Sequence, residues 1–464
     1  MWDTYSAFAN TYGGVIILGV KENEDGSWNA TGLKEERKLL KDFWDTINNT
    51  SKVSINLLSD NDIETYSINE NTIIVIHVPM ARREFKPVYI NNDMFNGTFK
   101  RTHEGDYHCT NLQVKSMLRD QTESTMDMKL LENLTVDQLN QDTIQSYRNR
   151  HLVLKPGHPW NNLDTKNYLQ KIGAADIGND KKFHPTAAGL LMFGDEYRIV
   201  REFPEYFLDY QEHFDDSIRW TDRLQSSSGE WSGNLFDFYF KTYNKIVQNI
   251  KIPFSMVDGN RIDDTPTHRV IREILANCLV NADFYVPRGV VIVLEKEKLK
   301  IENPGTIRVG LKQMIAGGQS DPRNKALMKM FNLIDIGERA GSGIPELFTV
   351  WKNENLEEPI IEEQRDIIDR TRLILSFRKA TIGESANKNG ESANKSGGFM
   401  NKTEQSLQKI IDFMEYDIEY QAKDIMNLLN LKASRTRELL TILVNQGKIT
   451  SNGTTRNKIY KKTR

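Results

Sequence analysis

The stretch from Arg269 to Tyr285 constrains this chain more than any other. Glu273, Asn277 and Asn281 recur at i, i+4 and i+8, which brings one carboxylate and two carboxamides onto a single helix face. Ile271, Ile274, Leu275, Cys278 and Leu279 fall mostly on the other side and suit a core. Three polar groups aligned beside such a stripe can coordinate magnesium, position a water and contact a triphosphate. A buried helix whose polar residues fasten neighbouring loops would carry the same pattern.

Three later segments add to it. Leu299–Ile307 reads as a strand followed by a tight turn at Asn303-Pro304-Gly305. Gln319-Ser-Asp-Pro-Arg323-Asn324 precedes a helical run. Gly337-Glu-Arg-Ala-Gly341-Ser342-Gly343 supplies glycines that let backbone N–H groups approach phosphates at a helix start. In this order, the four segments resemble those of the GHKL ATPases (gyrase, Hsp90, MutL and histidine-kinase type). They most resemble the divergent RecG-like or AAA-4 form found in bacterial regulators. The resemblance implies an α/β sandwich with ATP and Mg2+ as ligands. It makes Glu273 the base for the attacking water and Asn277 a magnesium ligand. Asn277, Asn281, Asn303, Gly305, Gly341 and Gly343 become the nucleotide contacts. One departure matters: the family's first glycine box carries an adenine-binding aspartate, and Asn303-Pro304-Gly305 stands there instead. The departure counts against hydrolysis more than against binding. No Gly-x4-Gly-Lys-Ser/Thr phosphate loop is present, so the RecG label implies no helicase motor.

Composition bounds the remainder. A chain of 464 residues predicts two to four domains. A net charge of −3 excludes a polycation, and Cys109 and Cys278 alone cannot form a disulfide framework or a cysteine zinc site. No apolar run reaches the length of a membrane span, and no basic segment precedes an apolar one at the N-terminus, so a cytoplasmic location is expected.

At the N-terminus, Asp3-Thr-Tyr-Ser-Ala-Phe-Ala-Asn10-Thr-Tyr-Gly13-Gly14 reads as a helix entering a turn, and Val15–Val20 as a buried strand. Asp25-Gly26 signals a hairpin, and Thr72–Val78 a second buried strand. Lys86–Tyr89 and Gly97–Thr102 predict a continuation of the sheet. Residues 1–120 resemble the Schlafen-type AlbA domain through Ala-Phe-Ala-Asn-Thr-x-Gly-Gly. That family opens with a strand bearing Glu…Glu-Phe-Lys, whereas this chain begins inside the following helix, so either a truncated domain or a misassigned start is expected. The missing glutamates are those that help hold a catalytic metal in the Schlafen ribonucleases. Metal-dependent cleavage needs convergent carboxylates, so no nuclease is expected. Arg82, Arg83, Lys100 and Arg101 remain as a basic edge for nucleic acid, or as a solvated one.

Residues 121–183 read as a helical connector and 184–379 as the ATPase-like domain. In the latter, His184–Gly194 is a capped helix with an apolar end. Residues 380–402 are a flexible linker, because Gly383-Glu-Ser-Ala-Asn-Lys388 recurs as Gly390-Glu-Ser-Ala-Asn-Lys395 without one large apolar side chain. Residues 403–464 read as a winged helix-turn-helix: helices at Thr403–Tyr416 and Gln421–Leu429, a third capped by Ser434, then a wing closing at Lys458-Ile-Tyr460. From Leu431 to Arg464, five Lys and four Arg face the single acid Glu438. Lys432, Ser434, Arg435 and Arg437 would start the recognition helix, and Arg456 and Lys458 would lie on the wing, suiting double-stranded DNA.

The fold class is therefore α/β and α+β multidomain: a truncated AlbA-like domain, a GHKL-like α/β sandwich and a C-terminal winged helix. The expected function is DNA-binding transcriptional regulation. A nucleotide sensed by the central domain would reset the spacing of paired winged helices in a homo-oligomer. A magnesium-dependent ATPase acting on nucleic acid, as in phage defence, is the alternative.

Overall fold

The computed structural model describes residues 1–122, 124–215, 217–250, 255–257, 260–262, 265–337, 341–365, 367–380, 410–411, 413–414, 420–429, 436, 439–440, 443–444, 448–452 and 459–462. The chain divides into two units, Met1–Ile382 and Gly383–Arg464. Among the described residues, no helix is long and apolar enough to cross a membrane.

The first unit contains two hydrophobic cores. The N-terminal core joins the helices Trp2–Asn10 and Glu36–Ile47 to an antiparallel sheet ordered Gly14–Leu18, Asn71–Val78, Ile63–Ile68. Gly13 turns the chain from helix to strand at φ +73, and a Cβ there would stand 2.8 Å from the Val78 carbonyl oxygen. Asn10 ends the helix with a structural task. Its Nδ2 donates to the carbonyls of Val88 (2.8 Å) and Phe99 (3.0 Å), and its Oδ1 accepts from the Val88 N–H. This corrects the predicted sheet extension. Phe99–Thr102 pairs only with Gly105–His108, and Tyr89 meets Thr98 in a lone bridge. Asn10 and Ser6 take the main-chain groups of Val88 and Phe99 that a neighbouring strand would need.

The larger core surrounds a six-stranded mixed sheet ordered Asp222–Gln225, Leu208–His213, Val290–Glu295, Lys298–Pro304, Asp369–Ser376, Ile360–Arg365. Leu208–His213 and Val290–Glu295 run parallel, and the other pairs are antiparallel. Alternation places Val290, Ile292 and Leu294 inward, as it does Leu299, Ile301 and Asn303. The helix Pro266–Asn281 packs on the strand Lys298–Pro304 and touches the helices Leu235–Asn249, Lys325–Leu333 and Gly343–Asn353. Residues read as a connector belong to this same core, through Leu131, Tyr147, Tyr168 and Ile172. The helix Ala187–Phe193 is buried throughout and capped by Thr186, whose Oγ1 accepts from the Gly189 N–H at 3.0 Å. His184 is a structural residue, bonded to the Leu134 carbonyl (2.6 Å) and to Asp180 (2.8 Å).

The second unit has a sheet ordered Tyr420–Gln421, Ile459–Lys462, Ile449–Asn452 and a helix Ala422–Leu429. Ile410, Met414, Ile425, Leu439, Leu440, Leu443, Ile449 and Tyr460 form its core. Lys432, Ser434, Arg435, Arg437, Arg456 and Lys458 lie outside the described residues, as do 381–402 and most of Thr403–Tyr416.

Within the first unit, the N-terminal body meets the larger one through charge. Three of the four residues expected on a free basic edge are engaged there or within their own hairpin. Arg83 Nε pairs with Asp321 at 2.7 Å, Lys100 Nζ donates to the Arg365 carbonyl at 2.7 Å, and Arg101 pairs with Asp106 at 2.9 Å. Arg82 alone stays solvated, with 79% of its side chain exposed. The cause is that the facing surface brings Asp321 and the Arg365 carbonyl within hydrogen-bond reach of two of these side chains.

Two outcomes are expected from these contacts. A Cβ on Gly189 would stand 1.8 Å from the Ala174 carbonyl oxygen, a main-chain atom with no room to yield. Gly189→Ala should therefore cost about 2 kcal/mol or more in urea unfolding. Lys86 donates to the Asn10 carbonyl at 2.8 Å, and burial, then repulsion from Arg365, pushes its pKa from 10.5 down to about 7. Between those values the unfolded chain holds a proton at this lysine that the folded chain has released. Stability should therefore rise with pH across that window, with the full penalty present at and below pH 7. Urea midpoints at pH 7.5 and 9.5 should rise less for Lys86→Met than for the wild type, and equal slopes would count against this burial.

Candidate functional site

The helix Pro266–Asn281 begins at Pro266, with Thr265 as N-cap in a capping box closed by His268. Its apolar stripe is buried as the periodicity predicts, and Glu273, Asn277 and Asn281 lie on the partly exposed stripe. They form one wall of a cleft that opens to solvent. Ile301 and Leu373, and beyond them Asn303 and Thr371, make the floor from two neighbouring strands that pair in register. The segment Thr306–Pro322 forms the opposite wall, and Gly341, Gly343 and Ile344 close the end.

Six of the seven residues expected at a nucleotide site therefore line one space: Glu273, Asn277, Asn281, Asn303, Gly341 and Gly343. Gly305 does not. It turns away at φ +102, and a Cβ there would meet the guanidinium of Arg323 at 2.5 Å. Its N–H donates to the Asp369 carbonyl, so this glycine permits close packing of an arginine and lies outside this cleft.

Inside the cleft, Asn277 Nδ2 donates to Glu273 Oε1 at 3.4 Å. The Glu273 side chain lies against Gly343, the first residue of the helix Gly343–Asn353. A Cβ at Gly343 would stand 2.4 Å from Glu273 Cγ and 2.6 Å from its Oε1. Glycine is what lets the carboxylate reach a helix start, where unpaired N–H groups and the helix dipole favour negative charge. Asn281 is more constrained. Its Nδ2 donates to the Asn277 carbonyl at 2.9 Å, and its Oδ1 accepts from the Arg323 N–H at 3.4 Å.

Thr371 and Arg308 are cleft residues that the sequence reading missed, while Gln319 and Asp321, read there as part of a run before a helix, line the wall. Thr371 carries a weak signal, being the register partner of Asn303, with its Oγ1 bonded to the Gly305 carbonyl at 2.9 Å. Arg308 has none, because its partners come from remote segments. Its side chain is 4% exposed, and its Nε makes no hydrogen bond among the described residues. That Nε stands 3.4 Å from Asp321 and 3.8 Å from Asp120.

The motif around Arg323 has a role that the sequence hid. Asn324 Nδ2 donates to the carbonyls of Val280 (2.9 Å) and Ala282 (2.8 Å), satisfying the end of the cleft helix. Arg323 donates to the Asn281 carbonyl, and its Nε and guanidinium grip Asp120 at 3.0 and 2.8 Å. Burial alone would push the Asp120 carboxyl up; Arg323 and Arg308 outweigh it and hold it below the usual carboxylate range.

The space and its lining fit a nucleotide. The floor is apolar and polar groups converge at one end, as in small-molecule sites. Among the described residues, no three His, Cys, Asp or Glu side chains gather as a metal site. A nucleotide-borne Mg2+ asks for less, since it keeps waters and takes one or two protein ligands beside phosphate oxygens. Asn277 would be the protein donor to such an ion, and the ion would supply charge neutralisation at the phosphates.

Three family models match parts of the chain. The family model described as "Schlafen, AlbA_2" matches residues 1–110, and "Putative ATP-dependent DNA helicase recG C-terminal" matches 288–374. Between them, residues 115–209 match a domain of unknown function, DUF8451. No curated protein matches the chain. Among solved structures, the DIP2311 protein from Corynebacterium diphtheriae is 12% identical with a TM-score of 0.44, over 100% of this chain and 89% of that one. The N-terminal domain of a putative ATP-dependent DNA helicase RecG-related protein from Nitrosomonas europaea is 25% identical with a TM-score of 0.18. That match covers 23% of this chain and 73% of the other. The chain thus joins a Schlafen-type AlbA domain to a recG-type ATPase-like domain.

Proposed function

We propose that this protein is a DNA-binding transcriptional regulator whose central domain senses a nucleotide. The observation that carries the reading is the cleft itself, where Glu273, Asn277, Asn281, Asn303, Gly341 and Gly343 share one space. Asn277 would hold Mg2+, and the backbone at Gly341 and Gly343 would approach the phosphates. The C-terminal unit is the DNA-binding end, read as a winged helix. Its support is a helix, a three-stranded sheet and one shared core, together with the basic composition after Leu431. Two copies of the chain would place two such units on a site, and the nucleotide would change their spacing.

A second reading, a magnesium-dependent ATPase acting on nucleic acid, is favoured by one observation. The Glu273 carboxylate is held beside Asn277 and against the helix start at Gly343, where a water attacking a terminal phosphate could be activated. The two readings differ in turnover.

Calorimetric titration of Mg·ATP should give binding that Asn277→Ala weakens roughly tenfold or more, the cost of a contact to a charged group. No binding by the wild type would end the nucleotide reading. Glu273→Ala should leave binding intact, and loss of phosphate release in that variant would select the ATPase. Deleting residues 403–464 should remove most affinity for duplex DNA and flatten its salt dependence. A truncated protein that binds DNA as before would dismiss the winged-helix assignment.

A further inference from the structure

We infer that the N-terminal body controls the cleft. Arg83 acts as a positioning residue that holds the wall segment Thr306–Pro322 as a strap over the site. The larger body ties the segment by single hydrogen bonds, from Arg323 to the Thr306 carbonyl (3.1 Å), from the Ile307 N–H to Glu363 (2.7 Å) and from the Gly318 N–H to the Gly341 carbonyl (3.3 Å). Its helix, Leu311–Ala316, has no buried residue. Glycines with positive φ flank it, Gly310 at +80 on one side and Gly317 and Gly318 at +75 and +76 on the other. A short helix without a buried side chain, set between such glycines, has few packing contacts to resist displacement.

Charge supplied from outside the larger body adds to that hold. Arg83 Nε donates to Asp321 Oδ2 at 2.7 Å, and the same guanidinium donates to the carbonyls of Asp120 (2.7 Å) and Thr122 (3.1 Å). Asp321 in turn faces Arg308 at 3.4 Å, while Arg308 donates to the Pro322 and Asp120 carbonyls at 3.1 and 3.3 Å. Both Arg308 and Asp321 line the cleft. Met80, three residues before Arg83, reaches the other end of the strap: a Cβ on Gly310 would stand 3.0 Å from its Cε. The N-terminal body therefore touches the strap at both ends, and Asp321 is shared between an arginine of that body and an arginine of the cleft wall.

Sharing gives the coupling its sign. An anionic ligand beside Arg308 competes with Asp321 for that guanidinium and shifts Asp321 toward Arg83. Loss of Arg83 leaves Asp321 to Arg308 alone and frees the strap. Linkage requires the effect to run both ways, so cleft occupancy must alter protection of the Arg83 segment. The ligand half of this coupling rests on the nucleotide reading; the strap half does not.

Hydrogen exchange on the full-length, ligand-free protein tests the strap half. Arg83→Ala should speed exchange within residues 306–322 by about tenfold or more, with the sheet Val290–Glu295 and Lys298–Pro304 unchanged. Unchanged exchange in 306–322 would overturn the proposal. If Arg83→Ala loosens the whole unit, the exchanged pair Arg83→Asp with Asp321→Arg decides. Restored protection of 306–322 supports the strap, and a pair as loose as the single variant overturns it. Mg·ATP is the probe for the ligand half. In a wild type that binds it, Arg83→Ala should raise Kd by about threefold or more, and an unchanged or lowered Kd would break the coupling. A wild type that binds no Mg·ATP defeats the nucleotide reading, while the exchange data still decide the strap.

Discussion

The guanidinium of Arg323 is the joint on which the first unit depends. It is buried, it grips the Asp120 carboxylate with two hydrogen bonds, and it donates to the Asn281 carbonyl at the end of the cleft helix. An ion pair removed from water is no guarantee of stability, because desolvation offsets much of the attraction. Its value here is geometric. A planar fork with fixed donors sets the distance between the helix Asn111–Gln121, the end of the helix Pro266–Asn281 and the turn after Pro304, where Arg323 also meets the Thr306 carbonyl at 3.1 Å. Asp283, two residues past the end of the cleft helix, is held separately by Arg119 at 2.7 Å.

The cleft follows from that placement. Once the helix end is fixed, Asn277 and Glu273, about one and two turns upstream, must look into the space between helix and sheet. Glycine at 343 then decides how closely the next helix approaches, because any Cβ there would collide with Glu273. The carboxylate and the helix start end up in contact, a favourable pairing of negative charge with the positive end of a helix dipole. The floor is set by a different rule. Strand alternation turns Ile301 and Asn303 inward, and antiparallel register sets Leu373 and Thr371 beside them.

The join between the two bodies shows why a basic edge is a poor guide to a nucleic-acid surface. Arg83 and Lys100 read as free cations in the sequence, and each has an acceptor in the larger body. Their acceptors, Asp321 and the Arg365 carbonyl, lie 238 and 265 positions away, beyond any periodicity. Lys86 bears a cost beside this join, its charge disfavoured first by burial and then by Arg365.

Much of the local structure was legible because it depends on neighbours in sequence. The stripe of Glu273, Asn277 and Asn281 follows from 3.6 residues per turn, and the turn at Asp25-Gly26 follows from glycine's freedom at φ +79. The helix ending at Asn10 and the burial of Ile74, Ile76 and Val78 are of the same kind. Tertiary structure decided what those residues meet. Asn10 looked like part of a signature and proved to bind the main chain of two remote segments, at Val88 and Phe99. Gly305 looked like a phosphate contact and proved to make room for Arg323. Arg323 and Asp120 stand 203 positions apart, and nothing in either local pattern selects the other. Periodicity determines which face a side chain occupies, since that is a property of one element. Which charge it finds there is settled only when separate elements are packed and every buried polar group must be satisfied.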